Sequence, residues 1–174
     1  MTHRTRTYSW DDPLAVPGEA AELPGLEIMR RMIAGELPQP PIAMTLGFDL
    51  VEVEPGRAVF ACEPAEYHYN PIGTVHAGLA STLLDSAMGC AFVTTLAARS
   101  AWTTLELKAN FTRAMTVETG VVRCTGTVIH AGRRVATTEA RLEDAQSRLL
   151  AHATSTILVL AGGPAPVDDG TPAS

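Results

Sequence analysis

A single acid stands in the most apolar segment of this chain. Asp85 interrupts the run Leu79-Ala80-Ser81-Thr82-Leu83-Leu84-Asp85-Ser86-Ala87-Met88-Gly89-Cys90-Ala91-Phe92-Val93. Directly upstream lies Tyr69-Asn70-Pro71-Ile72-Gly73-Thr74-Val75-His76-Ala77-Gly78. A carboxylate in apolar surroundings is unfavourable unless it is paired or used. The Pro- and Gly-punctuated turn leaves unpaired backbone N–H groups at a helix start, where the helix dipole favours negative charge. An oriented acid near a ready anion site is equipment for attack on a carbonyl, with the acid as general base for water or as nucleophile.

The elements around this pair follow from periodicity. Leu26 to Ile33 has helical spacing and stops at Gly35, the cluster Pro38-Gln39-Pro40-Pro41 breaks it, and Ile42–Leu46 adds a turn of helix. Phe48 to Glu54 alternates apolar and acidic residues, Pro55-Gly56 turns the chain, and Arg57 to Glu63 returns as a hairpin partner. A long helix runs to about Ala97. Strands are expected near Ala101–Phe111, Thr119–His130, Arg133–Glu143 and Arg148–Leu160, with tight turns at His130–Arg133 and Glu143–Ser147. Two strands, one helix and four strands make an α+β pattern. The helix is too apolar all round to lie on a surface, so a sheet must wrap it and something else must cover the rest. A curved antiparallel sheet of about six strands around one central helix, with a second copy completing the cover, is the hotdog fold.

The domain is expected to span residues 26–160, between an irregular arm at residues 1–25 and a disordered, Pro- and Gly-rich tail at 161–174. The whole chain, 174 residues with 46% hydrophobic and 18% charged residues, is long enough for one real core. A net charge of −6 argues against a general nucleic-acid binder. No apolar run reaches the roughly 18 residues of a membrane span. The amino-terminal stretch, with His3, Arg4 and Arg6, lacks a signal core. Three cysteines, Cys62, Cys90 and Cys124, have no CxxC spacing and read as reduced, buried thiols of a cytoplasmic protein.

Asn70-Pro71-Ile72-Gly73-Thr74-Val75-His76-Ala77-Gly78 followed by Asp85 resembles the motif of the phenylacetate-pathway type of hotdog acyl-CoA thioesterase. That motif is Asn, Gly three residues on, His-Gly-Gly, and an acid on the helix. The resemblance covers roughly Met44 to Leu160, and one departure is plain: Ala77 stands where the commonest form has Gly. It implies that the Ala77 N–H polarises the thioester carbonyl, with Gly78 beside it in the turn. Alanine keeps that donor, and would matter only if the backbone needed φ > 0. The resemblance further implies that Asn70 holds the nucleophilic water or the thioester, that His76 orients the loop or substrate, and that Thr104 hydrogen-bonds the acid or the water. Asn70 could equally be an Asx-turn residue before Pro71, and Thr103, one residue from Thr104, lies on the opposite strand face. By the same resemblance, Phe111-Thr112-Arg113 and His130, Gly132, Arg133 and Arg134 line the groove for coenzyme A, whose phosphates want cations.

Helix geometry adds a constraint of its own. Ala77 and Asp85 are 85 − 77 = 8 positions apart, about 12 Å at the ~1.5 Å rise of a helix. One carbonyl cannot meet both on one chain, so the site is expected at a two-fold interface of a homodimer. The resemblance implies that the assembly is a dimer of dimers. No metal site is read from His68 and His76, which lack an i+4 partner. No phosphate-binding glycine pattern calls for a cofactor, and no Gly-x-Ser-x-Gly elbow supports a serine hydrolase. A hotdog hydratase needs an Asp a few residues before its His, the reverse of the order here. A non-catalytic acyl-CoA-binding module remains the alternative. The acyl group depends on how Leu83, Met88 and Phe92 pack.

Overall fold

Alternation in Phe48–Glu54 and a turn at Pro55-Gly56 build the first hairpin, β1 (Phe48–Glu54) and β2 (Arg57–Cys62). In the computed structural model, which describes residues 3–13, 20 and 22–160, this hairpin follows two short helices, α1 (Gly25–Ile33) and α2 (Pro41–Leu46). The central helix α3 is Ala77–Val93, and then come β3 (Trp102–Phe111), β4 (Val122–Ala131), β5 (Val135–Glu143) and β6 (Leu149–Val159). The strands form one six-stranded antiparallel sheet in the order β1-β2-β4-β5-β6-β3. The tail at 161–174 lies outside the described residues, as do 1–2, 14–19 and 21 of the arm.

Leu79, Ala80, Leu83, Leu84, Ala87, Met88, Ala91 and Phe92 recur at helical spacing on α3 and are buried. They meet the inward residues of the sheet, among them Phe60, Cys124, Ala140, Leu142 and Ala153, in one core. Gly126 lets α3 lie directly on β4: a Cβ there would come 2.2 Å from Ala87 O. The other side of α3 carries Ser81, Thr82, Asp85, Ser86 and Cys90, and stays half-buried. Asp85 is therefore not sealed in the single chain. Its cover is incomplete.

The helix ends at Val93, four residues before the expected Ala97. Thr94 and Thr95 turn their hydroxyls back onto Ala91 O and Phe92 O at 2.6 and 2.7 Å, which satisfies the helix end locally. β4 starts later than expected because Val117–Thr119 forms a 3-10 turn. β5 starts at Val135 because Arg133 and Arg134 lie in the hairpin bend.

β3 is an edge strand, and a bulge between Thr104 and Glu106 interrupts its pairing with β6. Trp102 and Thr104 turn inward before the bulge, Leu107 and Ala109 after it, and Leu105 is left 57% exposed. At the opposite edge α1 packs beside β1 and contributes Met29 to the core. The arm lies on its own chain, where Arg4 pairs with Glu66 and Arg6 stacks over Tyr67 at 4.0 Å.

Candidate active site

α3 and β3 run antiparallel, which sets what each end of the helix meets. Val75, two residues before the helix, donates its N–H to Met115 O at 2.9 Å. Farther along, Gly89 packs under the Trp102 ring. Between them Thr104 Oγ1 donates to Asp85 Oδ1 at 3.0 Å. The bulge directs Thr104 inward, while Thr103 is exposed on the other face.

The turn before α3 is built by side-chain to backbone bonds. Asn70 Oδ1 accepts from Ile72 N–H (3.0 Å) and Thr74 N–H (3.2 Å), and Asn70 Nδ2 donates to Thr74 Oγ1 (2.9 Å). Both lone-pair directions of the amide oxygen are thus used, and one N–H remains. Asn70 is an Asx-turn residue here, and toward any ligand it can only donate. Gly73 takes φ +81°, a region open to glycine.

His76 caps the helix. Its Nδ1 accepts from Gly78 N–H at 2.8 Å, so the neutral ring carries its proton on Nε2 and presents it outward. Leu79 N–H goes back to His76 O. Among the described residues the Ala77 N–H has no hydrogen-bond partner, and Ala77 is exposed. Ala77 is not among the residues with positive φ, so its Cβ adds no backbone strain. A Cβ on Gly78 would lie 2.8 Å from His76 Nδ1; glycine makes room for the capping ring.

The residues expected to bind coenzyme A fall into two groups. Phe111, Thr112 and Arg113 are exposed near the start of α3, with Thr112 Oγ1 bonded to Leu149 O at 2.8 Å. His130, Arg133 and Arg134 are exposed, and Gly132 half-buried, at the other end of the sheet. On β6, Phe111 pairs with Ala151 and Val135 pairs with Leu158. That is 158 − 151 = 7 positions, about 23 Å at ~3.3 Å per residue. A single chain does not bring the two groups together, just as it does not bring Asp85 to Ala77.

Burial pushes the thiols up, to about 11 for Cys62 and about 12 for Cys90, and raises Cys124 as well. Thiols raised in this way are poor nucleophiles, although Cys90, on the half-covered face of α3, is only half-buried and not buried as expected. No group of three or more His, Cys, Asp or Glu side chains among the described residues could hold a metal ion. No helix there is long and apolar enough to cross a membrane.

Sequence reasoning weighed His68 only as a metal ligand and missed its structural part; the residue is 6% exposed. Its Nε2 bonds Leu46 O at 2.7 Å, its Nδ1 accepts from Ala65 N–H, and its carbonyl accepts from His76 N–H at 2.8 Å. All these partners are backbone atoms, which leave no signature in side-chain spacing.

Comparison with known proteins bears on the family and the fold. The family model of the thioesterase superfamily matches residues 72–151. A 1,4-dihydroxy-2-naphthoyl-CoA hydrolase of Listeria monocytogenes is 29% identical over 115 residues, 66% of this chain and 92% of the relative. A conserved protein of Pseudomonas aeruginosa superposes with a TM-score of 0.66 at 31% identity, over 70% of this chain and 95% of its own. A thioesterase-like, phenylacetic acid degradation-related protein of Ralstonia eutropha JMP134 gives 0.68 at 28% identity, over 75% and 98%. Matched by the family model over residues 72–151 and superposable on these solved structures, the chain belongs to the thioesterase superfamily, with its hotdog fold and its thioester-hydrolase activity.

Proposed function

We propose that the chain hydrolyses aromatic or medium-chain acyl-CoA at a site shared by two subunits. Asp85 is the general base or nucleophile, and Ala77 N–H of the other subunit is the oxyanion donor. The observation that carries this reading is one helix bearing both an acid held by Thr104 on its half-covered face and a free N–H at its start, about 12 Å apart. As general base, Asp85 takes a proton from water while the water oxygen bonds to the thioester carbon. The oxyanion forms against Ala77 N–H, the C–S bond breaks, and the coenzyme A thiolate leaves and is protonated. As nucleophile, its carboxylate attacks first and water then hydrolyses the acyl anhydride.

A two-fold axis beside Ser81, midway between Ala77 and Asp85, would put each acid at the partner's donor. It would also join β3 to β3 antiparallel across their unpaired edges. The same operation carries residues 111–113 of one chain toward residues 130–134 of the other. One symmetry element thus accounts for both separations. That convergence supports a homodimer, which pairs further into a dimer of dimers.

Thiol release from phenylacetyl-, benzoyl- and hexanoyl-CoA tests the reading, with wild type against Asp85→Asn and Asp85→Ala. A loss of about a hundredfold or more with the dimer intact supports it. Equal rates in the variants sink it. The shared site has its own test: Asp85→Asn and Ala77→Pro chains, each inactive alone, should regain about a quarter of wild-type activity when mixed and allowed to exchange, as two-fold symmetry requires.

A further inference from the structure

A helix leaves its last four carbonyls without helical partners. In α2 these belong to Ala43, Met44, Thr45 and Leu46. Gly47 N–H takes Ala43 O at 2.7 Å, Arg6 takes Met44 O at 3.3 Å and also Thr45 O, and His68 Nε2 takes Leu46 O at 2.7 Å. Three of these four partners thus come from two side chains far away in sequence. One sits on the arm. The other sits on the segment that leads into the active-site turn.

The connection continues inward. Because His68 Nδ1 accepts from Ala65 N–H, the ring is neutral with its proton on Nε2. The His68 carbonyl holds His76 N–H, and His76 caps α3 next to Ala77. Tyr67, adjacent to His68, lies under the Arg6 guanidinium, so one cation and two rings serve one junction. We propose that His68 and Arg6 are positioning residues for the oxyanion donor, locking the 66–76 segment to the end of α2 so that the Ala77 N–H stays free and aimed at the thioester carbonyl. This rests on the function proposed above. Neither residue touches substrate. Their effect is geometric, and a displacement of about 1 Å at a reacting group is enough to lower turnover by about a hundredfold.

The experiment measures kcat and KM separately, on whichever acyl-CoA of the panel wild type turns over fastest, for His68→Leu, His68→Gln, Arg6→Met and Asp85→Asn. Each is assayed where its dimer and folded fraction equal those of wild type. His68→Leu should lower kcat about 10- to 100-fold with KM nearly unchanged, and Arg6→Met should lower it about 3- to 10-fold. His68→Gln, which keeps an N–H within reach of Leu46 O, should recover most of the loss. Wild-type kcat in His68→Leu or Arg6→Met, or a loss confined to KM, overturns the proposal. If His68→Leu does not fold, Arg6→Met decides it by the same criteria. Turnover that needs Asp85 but ignores His68 and Arg6 removes only this proposal, whereas wild-type rates in Asp85→Asn remove the underlying reading with it.

Discussion

Thr104 reaches across from β3 to donate its hydroxyl to Asp85 Oδ1 at 3.0 Å. The bond leaves Oδ2 available and fixes the plane of the carboxylate. Thr104→Val keeps the shape and removes the donor, so kcat should fall about tenfold, as a charge-assisted hydrogen bond of ~1.5 kcal/mol implies. Thr103→Val, on the exposed face, should leave kcat within twofold. Parallel kinetics of the two variants check the assignment, and equal effects would refute it.

Ala77→Pro isolates the oxyanion donor. Proline is tolerated at the first helical position, where its missing N–H breaks no helical bond. The residue before it must be extended, and His76 already is, at φ −64° and ψ 135°. The variant should fold with a melting temperature near wild type, yet lose about 100- to 1000-fold in kcat. Retained turnover would move the oxyanion site elsewhere.

Gly126→Ala probes the seat of the helix. Its Cβ would meet Ala87 O at 2.2 Å and Met88 N at 2.7 Å, both backbone atoms that cannot swing aside. We expect a destabilisation of about 1–3 kcal/mol, read as a lower urea midpoint at an unchanged slope. An unchanged midpoint would mean that α3 does not lie so close to β4.

Burial holds the His68 ring below its ordinary pKa of 6.5; the bond to Leu46 O opposes this shift, and the Arg6 guanidinium adds to it. The unfolded chain therefore binds more protons at this group than the folded one. The folded protein loses nothing from His68 above about pH 6.5, and stability falls as pH drops from there toward the lower folded value. Urea midpoints between about pH 7 and 5 should decline in wild type, and His68→Gln should flatten that slope. Identical slopes in both would be inconsistent with a buried neutral ring.

The wrapped helix and the succession of elements along the chain were legible because α3 is apolar beyond what any surface tolerates and β1 alternates cleanly. The helix start was legible too: Asn70, Gly73 and His76 each build the turn through local bonds. What spacing could not give was non-local. The choice between Thr103 and Thr104 turned on a bulge, since counting back by twos from Leu107 selects Leu105 and Thr103 as inward. Asn70 offered two readings until its amide oxygen was found bonded to two backbone N–H groups. Arg6 and His68 act on backbone carbonyls, which look alike in every sequence. The groove residues were named together, yet one chain holds them apart, because a grouping by motif ignores which end of the sheet each hairpin occupies.

The bulge at Leu105 makes β3 a strand with two phases, one serving Asp85 and the other serving the core. Its length is therefore under tighter constraint than the identity of its extra residue. Deleting one residue between Thr104 and Leu107 would turn Trp102 and Thr104 outward together while Leu107 and Ala109 stayed in place. Replacing Leu105 with a polar residue changes no phase at all. In this segment a gap of one codon should be more damaging than a drastic change of side chain.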